Sequence, residues 1–208
     1  MQSSRKAVYV NAFVGLVLFG FIMYPVLSSA QGLRDRGMAR KDDFKERMET
    51  ARMERSKKIE DKRDEWKERF KKISDERKAK LAAQLAEQMN NLNERFTNGY
   101  LSFLDRLSAI VAKIETRAAD LGGTTNIATV TAKITTAKAS IEAAKSAVLT
   151  QQGKVYDVTF TSESKLREAF QGVKKQLQAD HAALRTQIGS AKQAVQDAFA
   201  ALKLLVKE

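Results

Sequence analysis

Apolar positions along this chain fall into successive patterns, and the changes between them mark its organisation. An uncharged run from Ala7 to Leu33, most apolar between Ala7 and Leu27, comes first. From Arg34 to Lys80 charges of both signs interleave and apolar residues are sparse, the seam candidates being Phe44, Met48, Ile59, Trp66, Phe70 and Ile73. Four acid-to-base pairs at i,i+4 (Glu54/Lys58, Glu65/Arg69, Glu68/Lys72, Glu76/Lys80) favour a helix there by a few tenths of a kcal/mol each. From Leu81 an apolar stripe runs in steps of four and three through Leu85, Met89, Leu92, Phe96, Tyr100, Phe103, Leu107, Ile110 and Ile114, widened by Leu101, Leu104 and Val111. That is the face of an amphipathic helix. The pattern predicts one helix from about residue 35 to about residue 120, a rod on the order of 125 Å at ~1.5 Å per residue.

Gly122-Gly123 ends it, since glycine is the commonest residue just past a helix C-terminus. Thr124, Thr125 and Asn126 offer capping oxygens for the next helix. That helix carries Ile127, Val130, Ile134, Ala137, Ile141, Ala144 and Val148 in strict 3-4 alternation, a heptad seam with alanine in alternate layers. A connector follows around 151–161, where Val155, Val158 and Phe160 are expected to tuck against the bundle end. Thr161 and Ser162 would cap the third helix, whose stripe runs from Leu166 and Phe170 through Val173, Leu177, His181 and Leu184. It continues through Ile188, Val195, Phe199, Leu202 and Val206. This helix is far longer than its predecessor, so its stripe overhangs. Ile188, Val195, Phe199, Leu202 and Val206 are therefore the candidate self-association residues.

The fold class is all-α: a long charged helix leading into an antiparallel helical bundle or coiled coil. Three segments follow: 1–30 for export, 31–80 as a highly charged helical stalk, and 81–208 as the bundle, with breaks near 122–125 and 151–161. Composition agrees. The chain has a single proline, Pro25, within the first segment, so nothing beyond it forbids a helix.

Arg5 and Lys6 precede the apolar run, and Ser28-Ser29-Ala30 follows it. This is the order of a secretory signal peptide, with cleavage expected before Gln31. The run from Ala7 to Tyr24 would also reach ~27 Å as a helix, so an uncleaved single-pass membrane anchor is the alternative. The basic residues Arg34, Arg36, Arg40 and Lys41 just after it would, for a retained anchor, favour an inside body. The chain is exported or, alternatively, anchored.

The absence of cysteine excludes disulfides and cysteine-based sites. His181 is the only histidine and stands in a helix seam with Asp180 as its one neighbouring ligand type, which points to packing rather than metal. No constellation of nucleophile, acid and base stands out, so no enzyme, cofactor or metal is expected. A formal charge of +12 favours anionic partners in general. Trp66, Lys67, Arg69, Lys71 and Lys72, with Phe70 among them, form a basic-aromatic patch suited to weak contact with an anionic membrane or wall polymer. Nucleic acid fits only if the body stays inside the cell.

The expected function is that of an exported, non-enzymatic coiled-coil protein of the cell envelope, structural or engaged in protein–protein interaction. Its partner would be a second copy or another helical envelope protein. The layout of export segment, positive charge and long helical arms is also similar to that of periplasmic coiled-coil chaperones that cage unfolded outer-membrane proteins. That similarity implies the alternative, an exported basic holdase for unfolded proteins. The small β-domain by which those chaperones trimerise has no counterpart here.

Overall fold

The computed structural model describes residues 30–121 and 127–206, with side chains from residue 43. The apolar run, the cleavage junction up to Ser29 and the Gly122–Asn126 turn lie outside the described residues. Two units divide the chain, Met1–Lys41 and Asp42–Glu208. The described residues form four α-helices: α1 (Ala30–Phe70), α2 (Glu76–Leu121), α3 (Ala128–Gln152) and α4 (Leu166–Leu205), the last preceded by a single 3-10 turn at Glu163–Lys165. There is no strand among the described residues, and the fold of the second unit is an all-α bundle. No described helix is long and apolar enough to cross a membrane.

The expected single helix over 35–120 is corrected. It breaks at residues 71–75, and the chain reverses. Asp75 makes the restart: its carboxylate accepts the backbone N–H groups of Arg77 (2.9 Å) and Lys78 (3.3 Å), an N-cap for α2. α1 then runs antiparallel to α2, as three cross-links show: Arg52 to Asn98 (2.7 Å), Arg55 to Glu94 (2.9 Å) and Arg63 to Glu87 (2.7 Å). The sparse seam of α1 is real, and less apolar residues complete it. Ala51, Arg55 and Lys62 fill the gaps between Phe44, Met48, Ile59, Trp66 and Phe70, giving steps of three and four along one half-buried to buried line.

Two apolar clusters result. The larger is a three-helix core in which Val130, Ile134, Ala137, Ile141, Ala144 and Val148 of α3 are all buried, as the heptad requires. They meet Leu104, Val111 and Ile114 of α2 and Ile188, Val195 and Leu202 of α4. The smaller joins Trp66, Phe70 and Ile73 to Ala82, Ala86 and Val158, with Val155 and Phe160 packed on them. The connector thus tucks in as its pattern implies, and Phe160 stacks on Phe70 at 5.9 Å.

A buried polar layer of Asn90, Asn93, Thr97, Gln151 and Gln152 lies on α2 and α3 beside the connector. The Asn90 side chain donates to the carbonyl of Tyr156 (3.0 Å) and accepts its N–H (2.9 Å), imitating the backbone partner that an extended segment otherwise lacks. Asn93 donates to the Gln151 carbonyl (3.0 Å) and accepts from the Gln151 side chain (2.9 Å). Arg55, buried on an otherwise charged helix, donates to the carbonyl of Asn90 and to Glu94. Ser162 makes no side-chain capping bond; the start of α4 is fixed instead by Glu163, which binds Lys78 (2.9 Å) and the Ser74 hydroxyl (2.8 Å).

Candidate functional site

The basic-aromatic patch does not present its aromatics to solvent. Trp66 and Phe70 are each 3% exposed, turned into the smaller cluster. The Trp66 indole donates to Asp157 (2.6 Å), and Arg69 donates to Asp157 (2.9 Å) and to the Val158 carbonyl (2.7 Å). The physical reason is the reversal at 71–75, which brings this face of α1 against the connector. Only Lys67, Lys71 and Lys72 remain exposed, and two of them pair locally, with Asp64 and Glu68. Burial pushes the Asp157 carboxyl up, but the bonds from Trp66 and Arg69 and the charges of Arg69 and Lys62 outweigh it and hold its pKa below 3.8.

The candidate self-association stripe is divided in the same way. Ile188, Val195 and Leu202 are buried in the chain's own three-helix core, so they are not free to meet a second copy. Phe199 (57%) and Val206 (55%) are exposed. The overhang lies at the other end from the one expected: α3 packs on the second half of α4, where these residues stand, and α3 ends at Gln152, which leaves the first half of α4 beside α2 alone.

His181 is 4% exposed and packs against Phe96 (5.0 Å between ring centroids) and Tyr100 (5.8 Å). Neither ring nitrogen has a hydrogen-bond partner, and no metal-binding group of three ligand-type residues exists among the described residues. Burial lowers its pKa below 6.5; Asp180 opposes this, while Arg185 and Lys154 add to it. The sign follows. The folded state refuses a proton that the unfolded chain takes up, so the contribution of the neutral ring is complete above pH 6.5 and is lost as pH falls from there towards the depressed value. Asp157 and Asp180, both held below 3.8, add their own loss only at more acid pH. His181→Phe should therefore raise Tm by several degrees, and by more at pH 5 than at pH 8, as thermal melts followed by circular dichroism will show. An equal rise at both values would mean that the ring does not titrate in this window.

The feature that the sequence placed wrongly is the most useful one. In the first half of α2 the strongly apolar line Leu81, Leu85, Met89, Leu92, Phe96 was expected to face the core. It does not. The buried line is its neighbour, Ala82, Ala86, Asn90, Asn93 and Thr97, which also steps by four and three. Small and polar residues pack there because Arg55 of α1 and the connector at Tyr156 bring hydrogen-bonding groups to this line. Leu81, Leu92 and Phe96 are left 55%, 40% and 46% exposed.

The first three residues of the line, Leu81, Leu85 and Met89, form one side of a groove. Its walls are Leu81, Leu85 and Met89 from α2 and Leu166 and Phe170 from α4, around about 370 Å³ open to solvent. Lys78, Arg167 and Lys174 stand at its rim, and no carboxylate lines it. Lys78 is held by Glu163 (2.9 Å), whereas Arg167 and Lys174 have no ion-pair partner among the described residues. α3 ends at Gln152, opposite Asn93, so this part of the α2–α4 pair has no α3 beside it. Periodicity shows that two heptad lines lie side by side in 81–97 but does not choose between them.

Comparison with known proteins finds no matching family model, no matching curated protein and no matching solved structure.

Proposed function

We propose that this is a non-enzymatic helical protein of the cell envelope that acts by binding another protein, with the open groove between α2 and α4 as its contact surface. The observation that carries this reading is the heptad line Leu81–Phe96, exposed at Leu81, Leu92 and Phe96 and half-buried at Leu85 and Met89, beside a buried line of smaller and polar residues. Leaving three large apolar residues exposed and two half-buried has an energetic cost in an isolated chain, and exposed apolar patches mark interaction surfaces. The order of basic, apolar and small residues in 1–30, which is that of a secretory signal, is what supports the compartment. The holdase alternative draws on the same groove together with Ile110 and Phe199, which are also exposed and would give unfolded chains several apolar contacts.

N-terminal sequencing of the protein recovered from fractionated cells tests the compartment: the mature chain is expected to begin at Gln31 and to be found in the envelope. Recovery from the cytosol with Met1 intact would remove the envelope from the reading. Cross-linking and co-purification from the same fraction separates the two binding modes. A scaffold retains one or a few folded partners, whereas a holdase retains many unfolded ones.

A further inference from the structure

The groove has enough shape and charge to narrow the class of partner. Lys78 to Met89 spans eleven residues, about 16 Å of helix at ~1.5 Å per residue. Leu92 and Phe96 continue the line, both more than one-third exposed, and extend it to about 22 Å from Leu81. That is about four helical turns. The walls are two packed helices, and apolar side chains recur along α2 in steps of four, four, three and four. A third helix laid in such a trough would meet them with its own residues at i, i+4, i+7 and i+11.

Charge complementarity selects among the occupants. The rim carries Lys78, Arg167 and Lys174, the lining has no carboxylate, and the chain from Gln31 on, without Arg5 and Lys6, stands at +10. A second copy would bring the same cations to the same rim and the same net charge to the encounter, which opposes pairing. An acyl chain is also poorly served. Pockets for small apolar ligands enclose most of the ligand surface, whereas this trough is open along its length. An amphipathic helix suits an open trough because its outer face is polar.

Resting on the reading of the groove as a protein-binding surface, we propose that it seats an amphipathic helix of another protein, about four turns long, whose flanks carry Asp or Glu opposite Arg167 and Lys174.

The test uses the full chain and labelled, stapled peptides of about 18 residues, long enough to be helical. One has Leu at i, i+4, i+7 and i+11 with Glu on both flanks. A second has the same Leu positions with Lys flanks, and a third has the first peptide's composition with Leu moved off the heptad. Fluorescence anisotropy should show the first peptide binding about tenfold more tightly than either other, since two or three rim pairs of less than about 1 kcal/mol each reach that factor. Arg167→Glu combined with Lys174→Glu should reverse the order of the first two; both side chains are exposed, so the fold is not at stake. Leu81→Glu, at a side chain already mostly in water, should abolish the difference. Equal binding of the heptad and scrambled peptides would overturn the proposal, as would binding unaffected by Leu81→Glu.

Two further arms identify a different occupant. Oleate binding that Leu81→Glu abolishes, with no peptide binding, would assign the groove to a lipid. A dimer seen by sedimentation and lost in Leu81→Glu would assign it to a second copy. Either result overturns the acidic-helix proposal. An envelope partner whose co-purification is unaffected by Leu81→Glu would keep the protein-binding reading and move it to another surface.

Discussion

Trp66→Ala should lower stability by about 3–5 kcal/mol, the usual cost of truncating a buried tryptophan. For a domain of this size that corresponds to a fall in Tm of about 6–20 °C. The side chain is 3% exposed within the cluster that joins α1, α2 and the connector, and its indole N–H binds Asp157 at 2.6 Å. Truncation therefore leaves a cavity and removes one of the two side-chain donors that hold the Asp157 carboxylate. Asp157 keeps Arg69 (2.9 Å), so the loss is dominated by packing. Trp66→Phe separates the two terms: it retains most of the ring volume, lacks the donor, and should cost about 1–2 kcal/mol. Chemical denaturation followed by circular dichroism measures both. A change below about 0.5 kcal/mol for Trp66→Ala would be the behaviour of an exposed residue on a free charged helix.

That experiment bears on what was legible in the sequence. The heptads of α3 and of the second half of α4 are apolar at nearly every step, and their burial follows the pattern residue by residue. In α1 the same period is present but its seam includes Arg55 and Lys62. Arg55 is buried because its guanidinium finds the Asn90 carbonyl and Glu94, and Lys62 lies half-buried because its ammonium reaches Glu65 (2.5 Å) and Asp157 (3.8 Å). A reading that counts apolar residues alone passes over such positions. It sees a weak seam and a solvated helix where the chain has a partner.

The reversal at 71–75 was missed for a related reason. It contains neither glycine nor proline, and the charge pattern continues through it unchanged. Its only local mark is Ser74-Asp75-Glu76, in which Asp75 supplies the cap and Glu76 an acidic first turn. The groove was hidden by a third effect. Hydrophobicity ranks Leu81–Phe96 above Ala82–Thr97, but burial here follows the polar groups that the neighbouring elements bring. The connector brings the unpaired backbone of Tyr156, and only a polar line on α2 can satisfy it.

Asn90→Leu should accordingly be among the most damaging single changes, although it exchanges a polar core residue for an apolar one of similar size. Asn90 serves the Tyr156 N–H at 2.9 Å and the Tyr156 carbonyl at 3.0 Å, and both groups are buried. Leucine leaves them unpaired at about 1–3 kcal/mol apiece, partly offset by its greater hydrophobicity, for a net loss of about 2–4 kcal/mol. The Tyr156 hydroxyl would still donate to Asp180 at 2.7 Å and the ring would still sit beside Gln151, so the connector is loosened at its backbone rather than freed. Hydrogen exchange should then show faster exchange at 154–160 and at the end of α1. Protection at Val130–Val148 should change little, because those residues belong to the other apolar cluster. Asn90→Asp gives the complementary control. A carboxylate can still accept the Tyr156 N–H, but its second oxygen would face the carbonyls of Ala86 and Tyr156, to which Asn90 now donates. That variant should be least stable near neutral pH and recover part of the loss as acid protonates the carboxyl and supplies a donor. Equal exchange throughout the bundle, or an Asn90→Asp loss that is flat with pH, would mean that the polar layer does not hold the connector in this way.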